Sequence, residues 1–145
     1  GDLRREFNMA MLLITHDLAL VADHCDEVAV MYAGRVAEKR SVAALFAQPA
    51  HPYTRLLLSS IPSRNRTAGA SQLPGDHEVS GSELPDPANP PRGCAFAARC
   101  PQAMAQCHHT LPELALRVVP LYQCKARVAC HLFAPVVPLQ YNGPP

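Results

Sequence analysis

The cysteines of this 145-residue chain are its first candidates for chemistry, because five of the six lie between residues 94 and 130. Cys94, Cys100, Cys107 and Cys130 are separated by five, six and twenty-two residues, with Cys124 inside the last interval. Four thiolates satisfy tetrahedral Zn²⁺, although zinc modules usually bring their ligands in pairs about two to four residues apart. An iron–sulfur cluster also takes four cysteines, from loops that each reach one corner. The spacing leaves cluster and zinc open, while disulfides are disfavoured in a reducing compartment.

A histidine at a strand-to-helix junction is the second candidate. The apolar run 9–15 predicts a strand buried on both faces of a largely parallel sheet, and Asp17 is placed to cap a following helix. His16 then lies at the carboxyl edge of an α/β sheet, where ligands usually bind. Its ring could donate a hydrogen bond to a phosphate oxygen or a water molecule, or could simply fix the junction.

The elements after this junction are predicted from turn and cap residues. Two strands, 27–32 and 35–38, flank a tight turn at Gly34 and indicate a hairpin. Ser41 can cap a short helix through Ala47, and Pro52 can open another that runs to Ser60. The pattern predicts a compact mixed unit that closes at about Pro62.

Composition divides the chain into four parts. Residues 1–62 carry the strand, helix and hairpin pattern and begin with the last turns of a helix over 3–8. Residues 63–93 are rich in Pro, Gly and Ser and predict a linker, because they offer too little apolar surface to order a backbone. Residues 94–133 predict a loop-rich, metal-stapled cysteine domain, and residues 134–145 an irregular tail.

Charge and hydropathy exclude two classes of protein. With 13 basic and 12 acidic residues the formal charge is +1, so no global field favours nucleic acid. No apolar run approaches the roughly 20 residues that a membrane-spanning helix needs. The charged start does not resemble a signal peptide, which predicts a cytosolic location. Because the chain begins with Gly1, partway along a predicted helix, we expect a truncation.

The amino-acid sequence around His16 resembles that of a known family. Leu13-Ile14-Thr15-His16-Asp17-Leu18 is similar to the switch, or H-loop, of ABC ATPases, and 26–36 resembles the strand pair that follows it. His51-Pro52-Tyr53-Thr54 resembles the sequence just before the peptide-transporter extension. The resemblance implies that His16 contacts the γ-phosphate of ATP and helps position the hydrolytic water, with Mg²⁺ as the companion ion. It also implies an α/β fold, the C-terminal fragment of a P-loop nucleotide-binding domain.

Several motifs of that family are absent from these 145 residues. There is no G-x-x-x-x-G-K-[ST] loop, no apolar strand ending in Asp-Glu, and no Ser-Gly-Gly-Gln-type signature. We therefore expect this polypeptide alone to bind ATP weakly or not at all and to hydrolyse none.

The cysteine segment resembles the C-terminal domain of oligopeptide/dipeptide transporter ATPase subunits, through Gly93-Cys94-Ala95-Phe96-Ala97-Ala98-Arg99-Cys100-Pro101, Cys107, Leu111-Pro112-Glu113-Leu114 and Val128-Ala129-Cys130-His131. This resemblance implies a [4Fe-4S] cluster held by Cys94, Cys100, Cys107 and Cys130, with zinc as the alternative. Cys124 departs from the pattern and is either a spare thiol or a substitute for Cys130.

Neighbours of the cysteines are weaker candidates. Arg99 could offset the negative charge of a thiolate-bound cluster or be an ordinary surface residue. His108, His109 and His131 adjoin cysteines and could be ligands of a mixed site, although neighbours in sequence often cannot point at one metal. A cluster would serve chiefly as a structural staple.

The combined resemblance implies the energy-coupling subunit of a peptide importer, peripheral on the cytoplasmic face of the cell membrane. Its implied partners are a second ABC ATPase subunit, two membrane permeases and, indirectly, an external peptide-binding protein. Two alternatives are a non-catalytic, metal-stabilised binding module and an inactive split-gene remnant.

Overall fold

The computed structural model describes residues 6–7, 9–61, 85–86 and 88–136, which form a mixture of helix and sheet. The predicted helix end over 3–8, most of the linker predicted over 63–93 and most of the predicted tail lie outside the described residues. In chain order the elements are α1 (Leu18–His24), β1 (Glu27–Tyr32), β2 (Arg35–Ser41), α2 (Val42–Ala47), α3 (Pro52–Ser59), a 3₁₀ turn (Ala97–Arg99), α4 (Ala105–His109), β3 (Ala115–Val119), a second 3₁₀ turn (Pro120–Tyr122) and β4 (Cys124–Val128).

The predicted hairpin is confirmed. Strands β1 and β2 pair antiparallel from Glu27↔Ser41 to Tyr32↔Arg35, with one irregularity between Val30 and Met31. The two turn residues have positive φ, 46° at Ala33 and 75° at Gly34. Positive φ at both central positions is the type I′ turn, whose twist matches that of the flanking strands.

The two C-terminal strands extend this hairpin into one sheet. The strand order is β1-β2-β4-β3, and all three pairings are antiparallel. Strand β4 joins β2 through Glu38↔Val128 and Lys39↔Arg127. Half of the strands therefore come from the cysteine-rich segment, and the sheet continues across the boundary predicted at residue 94.

The helix starts follow their predicted signals. Asp17 caps α1, where its Oδ1 accepts hydrogen bonds from the N–H groups of Ala19 (2.9 Å) and Leu20 (3.2 Å). Pro52 occupies the first turn of α3, where its missing N–H costs nothing. These local signals set where the helices begin.

Two small apolar clusters hold the elements together. One lies between α2, α3 and β1 and contains Val30, Leu45 and Leu58. The other lies beneath β3 and β4, and its buried members are Ala50, Val119, Ala126, Val128, Cys130 and Phe133. One of the predicted metal ligands is thus also a core residue.

The strand predicted over residues 9–15 is not formed in the structure, contrary to the expectation from its apolar run. Its side chains are exposed instead, with 87% of Leu12 and 89% of Ile14 accessible to solvent. A strand buried on both faces needs hydrogen-bonded neighbours, and none of the described strands pairs with this run.

Candidate four-cysteine site

The four cysteines that the resemblance singled out interact electrostatically with one another. Cys94 lies just before the first 3₁₀ turn and Cys100 at its end, Cys107 lies in α4, and Cys130 follows β4. Burial raises the pKa of Cys94, Cys100 and Cys130, to about 12 for Cys130. The remaining increase at Cys130 comes from the negative charges of Cys100, Cys94 and Cys107. The four thiols come from three chain segments: the loop of Cys94 and Cys100, the helix α4, and the residues after β4.

Main-chain N–H groups surround these sulfurs. The donors toward Cys94, Cys100 and Cys130 are respectively Phe96, Gln102 and Leu132, each two residues downstream. Cys107 Sγ accepts from the N–H of Met104 at 3.5 Å. Such donors favour the thiolate form over the thiol and tune thiolate-bound groups.

A glycine allows two of the segments to approach closely. The N–H of Cys94 donates to the carbonyl of Cys107 at 2.7 Å, which ties the loop to α4. A Cβ at Gly93 would lie 2.7 Å from the His108 carbonyl carbon and closer still to the Cys107 carbonyl oxygen. Only glycine fits here without moving main chain.

The four thiols and their N–H donors suit a metal group bound by thiolates, although the thiols are not arranged to hold a single metal ion. Within the described ranges no set of three or more His, Cys, Asp and Glu side chains is placed to hold a single metal ion. The four thiols are therefore neighbours with suitable donors rather than a completed coordination sphere.

Two cysteines lie elsewhere. Cys124 Sγ accepts a hydrogen bond from Arg40 Nη2 at 3.3 Å and packs against the second apolar cluster. Its charge does not enter the mutual interactions that raise the pKa of Cys130. Cys25 is the C-terminal cap of α1. The structure thus separates Cys124 from the four thiols.

The predicted charge partner of the site differs from the one observed. Arg99 Nη1 is directed to the hydroxyl of Tyr32, at 3.4 Å. The cation that lowers the pKa of Cys100 is Arg55 on α3, which sequence proximity to the cysteines could not reveal. The neighbouring histidines have other contacts. His131 Nε2 lies 2.9 Å from the carbonyl oxygen of Thr110, and the rings of His108 and His109 lie edge-on, tilted by 61° with centroids 6.5 Å apart.

An aromatic cluster connects the cysteine loop to the hairpin and α3. Phe96 is 2% exposed, and its ring centroid lies 5.3 Å from Tyr32, 5.5 Å from Tyr53 and 6.1 Å from His51. Offset and edge-on pairs of this kind contribute about 0.5–1.5 kcal/mol each beyond burial. Because Phe96 lies between Cys94 and Cys100, these contacts also hold the two thiols.

Two buried polar residues beside the site were not identified from the sequence. The carboxylate of Glu38 is fully buried and accepts N–H bonds from Ala50 (3.0 and 3.1 Å) and His51 (2.9 Å). His51 is 3% exposed, and burial lowers its pKa to about 4. The available signal was a single acidic residue, Glu38, at an inward position of β2.

His16 lies apart from these contacts, at the start of the α1 segment. Its side chain is exposed. The N–H of Asp17 donates to Thr15 Oγ1 at 3.0 Å, and the main chain bends at His16. The strand that was expected to present His16 is the one that the structure does not form.

Comparison with known proteins identifies the segment that contains most of this site. Residues 37–107 match the family described as oligopeptide/dipeptide transporter, C-terminal region. The chain belongs to this family. The matched segment of this chain contains Glu38, His51 and three of the four candidate cysteines, and it ends before Cys130.

Curated relatives extend the similarity beyond the matched segment. The chain is 45% identical over 113 residues to a protein of Brucella ovis named for peptide import and ATP binding, covering 78% of this chain and 34% of the relative. It is 42% identical over 134 residues to the peptide ABC transporter ATP-binding protein y4tS of Sinorhizobium fredii, covering 92% and 35%. It is 40% identical over 133 residues to the oligopeptide transport ATP-binding protein AppF of Bacillus subtilis, covering 92% and 38%. The chain spans about a third of the length of these relatives.

Proposed function

We propose that this chain is the C-terminal part of the ATP-binding, energy-coupling subunit of a peptide importer. The observation that carries the proposal is the family match over residues 37–107, together with 40–47% identity to peptide transport ATP-binding proteins over most of the chain. The aligned part of this chain covers only about a third of each of those relatives. ATP hydrolysis therefore belongs to the complete subunit, with this chain supplying the H-loop and the cysteine region.

In that subunit His16 would contact the γ-phosphate of ATP and orient the attacking water, while Mg²⁺ would be held by residues outside these 145. The exposed position of His16 before a capped helix supports this role, because an imidazole there is accessible to a ligand. Loss of one positioned donor to a transition state typically lowers kcat by about 10²-fold or more.

The test compares His16→Ala with His24→Ala, a matched histidine of the same segment, in the complete subunit assembled with its permeases in liposomes. We expect His16→Ala to lose ATP hydrolysis and uptake of labelled peptide together, and His24→Ala to retain both. Normal hydrolysis by His16→Ala would contradict the H-loop role, and peptide uptake that continues without ATP would contradict the importer.

We further propose that Cys94, Cys100, Cys107 and Cys130 hold a [4Fe-4S] cluster whose role is structural. Four grouped thiols with main-chain N–H donors support this ligand set. When bound, such a cluster would cross-link three chain segments: the loop of Cys94 and Cys100, α4, and the residues after β4. Iron and acid-labile sulfide should be found in protein purified without oxygen, with visible absorption, and Cys130→Ser should lose them while Cys124→Ser should not. A colourless protein loaded with zinc would overturn the assignment.

The proposed partners are a second ABC ATPase subunit, two membrane permeases and, indirectly, an external peptide-binding protein, with this subunit on the cytoplasmic face of the membrane. The transporter names of the relatives support this assembly. In the part of the chain that the structure describes, no helix is long and apolar enough to cross a bilayer. Co-purification of the complete subunit with both permeases from detergent-solubilised membranes tests the assembly, and a subunit recovered without either permease would contradict it.

A further inference from the structure

The sheet has one covered face and one bare face where β3 and β4 pair. On the covered face Val119, Ala126 and Val128 are at most 3% exposed and belong to the second apolar cluster. On the opposite face Leu116 and Val118 of β3 are 45% and 41% exposed. They lie two residues apart, so the pleat of the strand turns them to the same side. Two large apolar side chains therefore stand next to each other in solvent.

The strand register places cations directly beside these two apolar side chains. Leu116 pairs with Arg127 on β4. Val118 pairs with Lys125, and directly paired side chains of neighbouring strands point to the same face. We refer to these four residues as the β3–β4 patch. Arg127 also pairs with Lys39 of β2, so the cationic part of this face continues across the sheet.

The two cations of the patch are not neutralised within the described part of the chain. Lys125 and Arg127 are exposed, and no described carboxylate lies within 4.0 Å of either. By contrast, Lys39 Nζ lies 3.2 Å from Glu27 Oε2. Unpaired charges next to apolar side chains are complementary to a surface that brings both carboxylates and apolar groups. The patch thus specifies the chemistry of what would cover it.

The outer edge of β3 is closed to a further strand. This strand is the last in the sheet, but the N–H of Val118 donates to the carbonyl of Ala134 at 3.2 Å. The N–H of Val136 donates to the carbonyl of Leu116 at 2.9 Å. Because these edge groups are already paired, a partner cannot extend the sheet here and has to lie across its face. The element that most often covers a sheet face is a helix.

The spacing of the patch fits a helix laid along β3. Positions i and i+2 of a strand are about 6.7 Å apart, and positions i and i+4 of a helix rise about 6 Å. A helix with an apolar stripe and an adjoining stripe of carboxylates would therefore meet the apolar and the cationic pair together. A second copy of this chain fits less well, because the same face would oppose cations to cations.

We propose that the β3–β4 patch docks an amphipathic, acidic helix of another subunit of the transporter. The existence of such a subunit rests on the proposed function, whereas the exposed patch does not. The helix would bury Leu116 and Val118 and pair its carboxylates with the two cations. An anionic bilayer is the less suitable occupant, since lipid headgroups are recognised by clusters of about four to eight Lys and Arg side chains.

Photo-crosslinking in the assembled transporter tests the proposal. Leu116 is replaced by benzoylphenylalanine in the complete subunit, which is purified with its permeases and second ATPase subunit, irradiated and analysed by peptide mass spectrometry. Met31, which is 56% exposed on the opposite edge strand β1, is the matched control position. We expect position 116 to cross-link to a helical segment of another subunit that contains at least two Asp or Glu residues. Position 31 should not reach that segment.

Two double variants test the charge requirement with the cross-linker kept at position 116. Lys125→Glu with Arg127→Glu should lower the yield at least about tenfold, because attraction to the carboxylates becomes repulsion. Lys125→Arg with Arg127→Lys keeps both charges and should retain the yield. All four replaced side chains are exposed polar ones, so circular dichroism of the two variants should match that of the parent subunit.

Several results would overturn the docking of an acidic helix. These are no cross-link from position 116, or cross-links to lipid, to the same subunit, to this patch on a second copy, or to a segment without acidic residues. Equal yields from the charge-reversed and charge-preserved subunits would also overturn it. ATP-driven peptide uptake is measured on the same assembly with the unmodified subunit. Absence of uptake would count against the importer alone, because the cross-linked segment would still identify the occupant of the patch.

Discussion

Acidification should destabilise this protein through His51, and the size of the effect follows from its burial. The pKa of His51 is about 4 in the folded chain against 6.5 for an ordinary histidine, and the largest cause is desolvation of the charged form. The ring is only 3% exposed, and its Nδ1 accepts a hydrogen bond from the Tyr53 N–H at 3.0 Å, which requires that nitrogen to be unprotonated. Protonation of the folded state is therefore unfavourable.

The sign follows from proton counting. Between pH 6.5 and about 4 the unfolded chain binds a proton at His51 that the folded chain does not. Stability is therefore fully present above pH 6.5 and is lost as the pH falls toward 4. The difference between the two pKa values corresponds to roughly 3 kcal/mol over the whole window, of which about 2 kcal/mol is lost between pH 7 and 5.

The assay is urea denaturation of metal-free protein at pH 7 and pH 5, followed by circular dichroism because the chain has no tryptophan. His51→Gln is the matched control, since its side chain is polar but cannot titrate. The chain has six other histidines, so the informative quantity is the pH effect in wild type minus that in the variant. We expect this difference to be about 2 kcal/mol. Equal losses in the two proteins, or an imidazole that titrates near 6.5 by NMR, would refute the reasoning.

Four further substitutions should change the free energy of unfolding, with effects of different sign or size. Gly93→Ala should lower the free energy of unfolding by more than about 3 kcal/mol, because the added Cβ would meet the main chain at Cys107. Gly34→Ala, with open space but a φ of 75°, should lower it by about 1 kcal/mol. Urea denaturation compares the two variants. Glu38→Gln should cost about 1–3 kcal/mol, because an amide nitrogen would replace one of two oxygens that accept buried N–H groups; a fall of Tm by only a fraction of a degree would contradict this. Thr54→Val should be neutral or stabilising by up to about 1 kcal/mol in the same denaturation assay, because the fully buried hydroxyl of Thr54 has no hydrogen-bond partner among the described residues, and a large loss would reveal a partner.

The elements that the sequence predicted well are those with a local cause. Asp17 and Pro52 mark helix starts whatever the rest of the chain does, and the turn at Gly34 requires positive φ that few residues adopt. The strand predicted over residues 9–15 was wrong, because a buried strand depends on hydrogen-bonded partners that are distant in sequence. Strands β3 and β4 were missed within a segment expected to be loop-rich, because each has only five residues and their pairing with β2 is long-range.

The candidate site also has parts that the sequence could predict and parts that depend on contacts between distant residues. The choice of Cys94, Cys100, Cys107 and Cys130 over Cys124 came from a family resemblance, and it stays a prediction. Spacing alone could not have made that choice. The carboxylate of Glu38 accepts its hydrogen bonds from main chain 12 and 13 residues later, at Ala50 and His51, so no local pattern could reveal these contacts.

The position of Cys130 explains why a thiol group and a sheet would depend on each other in so small a fold. Cys130 is 8% exposed and belongs to an apolar cluster of only six buried residues, which is too few to stabilise much chain by burial alone. The loop that carries Cys94 and Cys100 contains no strand, and its main anchor in the sheet side of the fold is Phe96. An iron–sulfur cluster bound by Cys130 would fasten that loop to the apolar cluster next to Ala129, whose N–H donates to the Ala37 carbonyl of β2 at 2.8 Å. Removing the link should therefore loosen the loop first, while the hairpin, with its own turn and core cluster, should remain folded.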